Sequence, residues 1–276
     1  ALPTPSPAAG TAGVAEAAGA AGLAEEVEAP FQAADAPYDG LYHFVRIRYG
    51  DSRGGSGFRR RGGGAMWAHD YPRAERNFLR IIDETTFVGS QTEASNVVTL
   101  DDPELFKHPI AYIVEVGSWN PTDEEVERLG EYLLKGGFLI VDDFRDERGC
   151  CRNLDNLAFH LERALPGLSM IQLEDTHEIF DSFFRIVPQD VIPPYGPRNP
   201  VWFGVFEDND PARRLLAVIN YNNDIAEYWE FSDRGYYPID LANEAYKLGV
   251  NYVVYGDRKS TRLTPVTVPY LVCRLL

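Results

Sequence analysis

Two short apolar runs on either side of an amphipathic helix pattern limit the fold more than any other feature of this 276-residue chain. Residues 110–116 (IAYIVEV) and 138–141 (FLIV) are almost continuously apolar. A strand without polar alternation is covered on both faces, as strands inside a parallel sheet are. Between the runs, Thr122 and Glu125 have capping-box spacing, Val126, Leu129 and Leu133 fall on one helical face, and Gly136-Gly137 ends the helix. Strand, helix and strand make a βαβ crossover, so the two strands are expected to be parallel with a right-handed connection.

The flanking sequence extends this pattern. Residues 41–48 read as a first strand, followed by a Gly/Arg loop and a helix entered through Pro72, with Asp70 as its cap and Ala74, Phe78, Ile81, Ile82 and Thr85 on one face. Residues 96–100 form a short strand. Leu154, Leu157, Ala158, Leu161 and Leu165 mark another helix, closed by Pro166-Gly167, and residues 168–173 a further strand. Strands are expected at 201–206 and 215–220, and a last helix from a cap at Asp240 through Tyr255. The reading is α/β: a three-layer, doubly wound, mostly parallel sheet.

Both ends fall outside this scheme. Residues 1–37 are Ala, Gly, Pro and Glu with few large apolar side chains, so they are expected to be a disordered tether. A tether behind a cleaved signal or membrane anchor fits, and so does a cytoplasmic linker; the favoured compartment is periplasmic or secreted. Residues 257–276 (DRKSTRLTPVTVPYLVCRLL) read as a translated sequencing adapter, so the native domain is expected to be residues 38–256. Net charge is −16, which disfavours nonspecific binding to nucleic acid or anionic lipid, and no apolar run is long enough to span a membrane. Cys150, Cys151 and Cys273 provide no disulfide framework and no metal knuckle.

The segments PTDEEVERLGEYLLKGG, GGFLIVDDF, HEIFDSFF, NYNNDIAEYWE and NEAYKLGVNYVVYG appear in the order found in one family. The chain resembles domain-of-unknown-function family 4159 over nearly all of residues 41–256. The resemblance implies a flavodoxin-like sheet of the class I glutamine-amidotransferase-like type, in bacterial proteins that often carry export signals and have no established activity. A fainter likeness is to trehalose-utilisation-type proteins.

A glutaminase needs a Cys nucleophile on the turn after a central strand. The strand ends here carry Glu115-Val116-Gly117 and Asp142-Asp143-Phe144, so a Cys-dependent glutaminase is not expected, and no G-x-S-x-G elbow replaces it. The catalytic candidates are Asp142, Asp143, Glu115 and His177. Carboxyl ends of parallel strands line the ligand crevice, where close carboxylates can act as acid and base or hold a divalent cation. The competing reading makes one Asp a cap, the other a solvated side chain, and His177 a backbone-bonded histidine. Asp142→Asn is expected to weaken ligand or cation binding at little cost in stability. His69 in WAHDYP is open to the same two readings as His177, and Asp70 is already used as a cap. Binding candidates are Asn220, Asn222, Asn223, Asp224, Trp229 and Glu230, whose amides, rings and carboxylates suit a peptide or glycan; a structured turn explains them equally well. No cofactor motif and no definite metal ligand set is present. The favoured function is an envelope-associated domain binding a protein, peptide or glycan; the alternative is a hydrolase-type enzyme using strand-end carboxylates, with or without a divalent metal.

Overall fold

The crossover takes the expected form in a computed structural model that describes residues 35–50, 65–146, 152–196 and 199–260. Strands β1 (Val45–Ile47), β2 (Asn96–Val98), β3 (Ile110–Val114), β4 (Phe138–Phe144), β5 (Met170–Gln172), β6 (Val201–Phe206) and β7 (Leu215–Tyr221) form one sheet in the order β2-β1-β3-β4-β7-β6-β5. β3 and β4 pair in parallel, from Ile110 against Phe138 to Val114 against Asp142. The pairs β1–β2, β1–β3 and β4–β7 are also parallel, and only β6 runs against its neighbours. The domain is therefore a mostly parallel, flavodoxin-like three-layer α/β fold.

Among the described residues, five α-helices cover the sheet: α1 (Arg73–Thr85), α2 (Asp123–Leu134), α3 (Asn153–Ala164), α4 (Ile225–Phe231) and α5 (Ile239–Ser260). On one face, Phe78, Leu79 and Ile82 of α1, Trp229 of α4 and Leu248 and Tyr252 of α5 pack on Tyr112, Ile140 and Val218. On the other, Val126, Leu129 and Leu133 of α2 and Leu157 and Leu161 of α3 pack on Ile113, Val141 and Ile219. Alternate residues of β3, β4 and β7 thus feed opposite cores, which is why these strands read as unbroken apolar runs. The capping box at Thr122 and Glu125 is formed in full.

Three local expectations need correction. Asp70 does not cap α1: the cap position is Pro72, without a side-chain bond, and Asp70 contributes only its carbonyl, to Ala74 N–H at 3.0 Å. Asp142 and Asp143 do not follow β4 but belong to it, and both are fully buried. The segment read either as a binding stretch or as a structured turn contains helix α4, capped by Asp224, whose side chain accepts from Glu227 N–H at 2.9 Å. α5 runs on through Ser260, so it includes the first residues of the segment expected to be foreign; residues 1–34 of the expected tether, the Gly/Arg loop at 51–64, Cys150, Cys151 and residues 261–276 lie outside the described residues.

The α2–α3 contact depends on a glycine. A Cβ on Gly130 would lie 2.1 Å from the Ala164 carbonyl oxygen, a backbone atom that cannot swing aside. Gly130→Ala is expected to cost about 1–3 kcal/mol, the usual range for overpacking, seen as a lower urea midpoint at unchanged slope. An unchanged midpoint would contradict this account of the contact.

Candidate metal centre

The site begins with a break in β4. Val141 pairs with Ile219 and Phe144 with Tyr221, so β4 holds one more residue than β7 across this stretch. Asp143 takes up the bulge with φ +49°, a left-handed conformation that Asp tolerates better than most residues. In a regular strand Asp142 and Asp143 would point to opposite faces. Here both carboxylates meet the start of α4.

Asp142 accepts four hydrogen bonds: from the Tyr112 hydroxyl at 2.6 Å, Asn220 Nδ2 at 2.9 Å, and the backbone N–H groups of Ile225 at 3.0 Å and Ala226 at 3.3 Å. Asn220 is held in turn by the Tyr252 hydroxyl at 2.8 Å, which accepts from Trp202 Nε1 at 2.9 Å. Burial pushes the Asp142 carboxyl upward, and these donors pull it back. Asp142 therefore pins α4 to the sheet. The expectation that it is a solvated ligand-binding carboxylate is corrected, because every direction around it is filled by a donor.

Asp143 faces a different set. His69 Nδ1 is bonded to Asp143, and its Nε2 lies 3.4 Å from Asp70 Oδ1. One donor atom each from His69, Asp70, Asp143 and Asp224 all lie within 4.8 Å of one another. The three aspartates are buried, while the His69 side chain keeps 15% of its surface exposed. Asp70 adopts φ +63° and is 5% exposed, and among the described residues neither of its carboxylate oxygens has a hydrogen-bond partner. A buried carboxylate without donors is costly to retain unless a positive charge is supplied there.

Neither nearby arginine hydrogen-bonds Asp70, although the charge of Arg46 acts on it. Arg46 is fully buried, ion-paired with Glu75, and donates to the carbonyls of Trp67 at 3.2 Å and His69 at 3.0 Å. It holds the turn bearing His69 and Asp70 by its backbone while its charge is matched by Glu75. Arg145 stacks on the Tyr195 ring with its guanidinium carbon 4.1 Å from the centroid, and the Tyr195 hydroxyl donates to Asp224. Burial, followed by the Asp224 and Asp143 charges, drives the Asp70 carboxyl well above its usual range despite Arg46. Burial and then Asp143 and Asp142 do the same to Asp224, against the pull of His69 and Tyr195.

The remaining sequence candidates are dispersed. Glu115 meets the site through its backbone, donating N–H to the Asp143 carbonyl at 3.1 Å. His177 lies at the other edge of the sheet. Its ring packs against Phe206 at 5.6 Å and Tyr255 at 6.1 Å, and its Nδ1 accepts from Ile179 N–H at 3.2 Å. Because β6 is antiparallel, Phe206 sits beside Leu215, where β7 begins, so His177 cannot wall a crevice at the ends of β4 and β7. Trp229 is a core residue, 2% exposed and stacked on Phe78 at 4.3 Å. Asn222 makes the turn after β7 at φ +60°, donating N–H to the Phe144 carbonyl at 3.0 Å, and Asn223 is buried beside it. Asp224 and Glu230 do reach the site: Asp70, Glu227 and Glu230 form a second group of carboxylates with oxygens within 4.8 Å. Glu227 was missed with α4, although Asp224 and Glu227 have capping spacing and Ile225, Tyr228 and Trp229 fall at i, i+3 and i+4.

The chain belongs to the family described as Domain of unknown function (DUF4159), whose model matches residues 43–256. No curated protein matches the chain.

Proposed function

We propose that this domain is a hydrolase-type enzyme built around a divalent cation held by His69, Asp70, Asp143 and Asp224. The observation that carries the reading is the convergence of one imidazole and three buried carboxylates, their donor atoms within 4.8 Å of one another. One nitrogen and several carboxylate oxygens suit a first-row ion such as Mn²⁺ or Zn²⁺ better than Ca²⁺, which takes oxygen ligands alone. Both His69 nitrogens face carboxylates of this group, so the ring can present either one to an ion held there. Such an ion supplies a Lewis acid and an acidified water at neutral pH. The turn at Trp67–Asp70, the β4 bulge and the α4 cap each deliver one part of the ligand set.

Equilibrium dialysis of metal-stripped protein against Mn²⁺ and Zn²⁺ tests this. Wild type should retain metal at physiological ionic strength. His69→Ala, whose side chain is partly exposed, should fold and lose affinity by more than the roughly 10–100-fold that follows loss of an outer-shell partner. Equal retention by both proteins would overturn the assignment.

A non-catalytic domain that binds a peptide or glycan remains the second reading. It is favoured by Tyr236, 71% exposed, whose ring meets that of Tyr237 at 4.9 Å, with the Tyr237 hydroxyl donating to Glu227 at 2.8 Å. Metal retention without hydrolysis of ester, amide, phosphoester or glycoside substrates would favour it.

A further inference from the structure

Asp70 belongs to both carboxylate groups. It stands with His69, Asp143 and Asp224 on one side and with Glu227 and Glu230 on the other. It is also the one of these residues best suited to share its oxygens. Asp224 is committed to the Glu227 N–H and the Tyr195 hydroxyl, and Asp143 to His69. Asp70, 5% exposed, has no hydrogen-bond donor at either oxygen among the described residues. A carboxylate has two oxygens and can ligate a separate ion through each.

We infer that the centre is dinuclear: a second divalent cation binds between Asp70, Glu227 and Glu230, with Asp70 bridging the two ions. The inference rests on the mononuclear reading above, because Asp70 must already hold the first ion. The second site is built from a different element. Glu227 and Glu230 lie three apart on α4 and share one face of it. Glu227 is oriented by the Tyr237 hydroxyl at 2.8 Å and reached by the Tyr195 hydroxyl at 3.5 Å. Both glutamates are half-buried where the aspartates are fully buried, so the second ion is the more accessible and the more readily exchanged. Its ligands are all oxygens, which suits Mn²⁺ or Mg²⁺ over Zn²⁺. Paired ions of this kind hold the attacking and leaving oxygens of a displacement, so the pair assigns a role to the α4 carboxylates that a single ion leaves unused.

The test uses Mn²⁺ alone on the full chain, with bound metal counted by equilibrium dialysis and coupling between ions read by electron paramagnetic resonance. Wild type should bind two equivalents, with a spin-coupled signal at full loading. Glu230→Gln and Glu227→Gln should each bind one equivalent, keep the tighter affinity and lose the coupled signal. One equivalent in wild type, unaltered in both variants, would overturn the second site and leave the first standing. Two equivalents retained in both variants would overturn the ligand assignment. No bound Mn²⁺ in wild type would overturn both readings together.

Discussion

Asp142→Ala is expected to destabilise the protein by about 3–5 kcal/mol, because it strands the Tyr112 hydroxyl, the Asn220 amide and two backbone N–H groups in a dry interior. Each unsatisfied buried donor costs about 1–3 kcal/mol, and relaxation of α4 recovers part of the sum. The loss should appear as a lower denaturant midpoint in metal-free protein, before any question of binding arises. Ile225 and Ala226 open α4, so its first turn should loosen, and faster amide exchange there would locate the damage. A change below about 1 kcal/mol would contradict the role of Asp142 as the anchor of α4.

Asp70→Asn is expected to have the opposite pattern: a more stable metal-free protein that no longer holds its metal. The substitution removes a carboxylate that has no hydrogen-bond donor among the described residues, so no bond is broken. Asn tolerates the left-handed conformation at φ +63° as Asp does, so the backbone is not strained. What disappears is the cost of burying an acid beside Asp224 and Asp143. The sign follows from linkage: a carboxyl raised above its unfolded value of 3.8 costs stability at pH above that value, and the cost vanishes below it. The gain should therefore be present at neutral pH, about 0.5–2 kcal/mol as for other single stabilising changes, and should fade in acid. Saturating Mn²⁺ at about 100 times its Kd should stabilise wild type by ~2.7 kcal/mol and leave the variant's melting temperature unchanged. A variant less stable than wild type without metal would show that Asp70 is a structural residue.

The sheet was legible in sequence because its central strands feed two cores at once. Ile110, Tyr112 and Val114 serve one core and Ala111 and Ile113 the other, leaving no position where a polar residue could interrupt the apolar run. The edge of the candidate site was legible for the same reason: Asp142 and Asp143 are the first charges to break the run of β4. Their division of labour was not legible. It is set by a bulge that depends on the register of β4 against β7, a contact between residues nearly eighty positions apart. The other half of the candidate centre was legible only in part. His69 in WAHDYP was open to both a ligand and a backbone-bonded reading, and nothing local decides between them, because the turn is fixed by bonds from the buried Arg46 to the carbonyls of Trp67 and His69. Asp70 looked like a helix cap because it stands just before Pro72, but that cap is formed without its side chain. His177 was placed wrongly because the chain turns back after β5, which runs parallel to β7, and brings the ring to Phe206, beside the start of β7.

The most direct test is a crystal of the metal-stripped protein soaked in Mn²⁺ and measured at a wavelength where manganese scatters anomalously. The account predicts an anomalous peak among His69, Asp70, Asp143 and Asp224, at about 2.0–2.3 Å from a ring nitrogen and from carboxylate oxygens. The His69–Asp143 bond should be replaced by ligation of the ion, and the position of α4 should be retained. No peak at these residues at saturating Mn²⁺, with the four side chains unmoved and ordered water among them, would contradict the claim that this cluster is a metal centre.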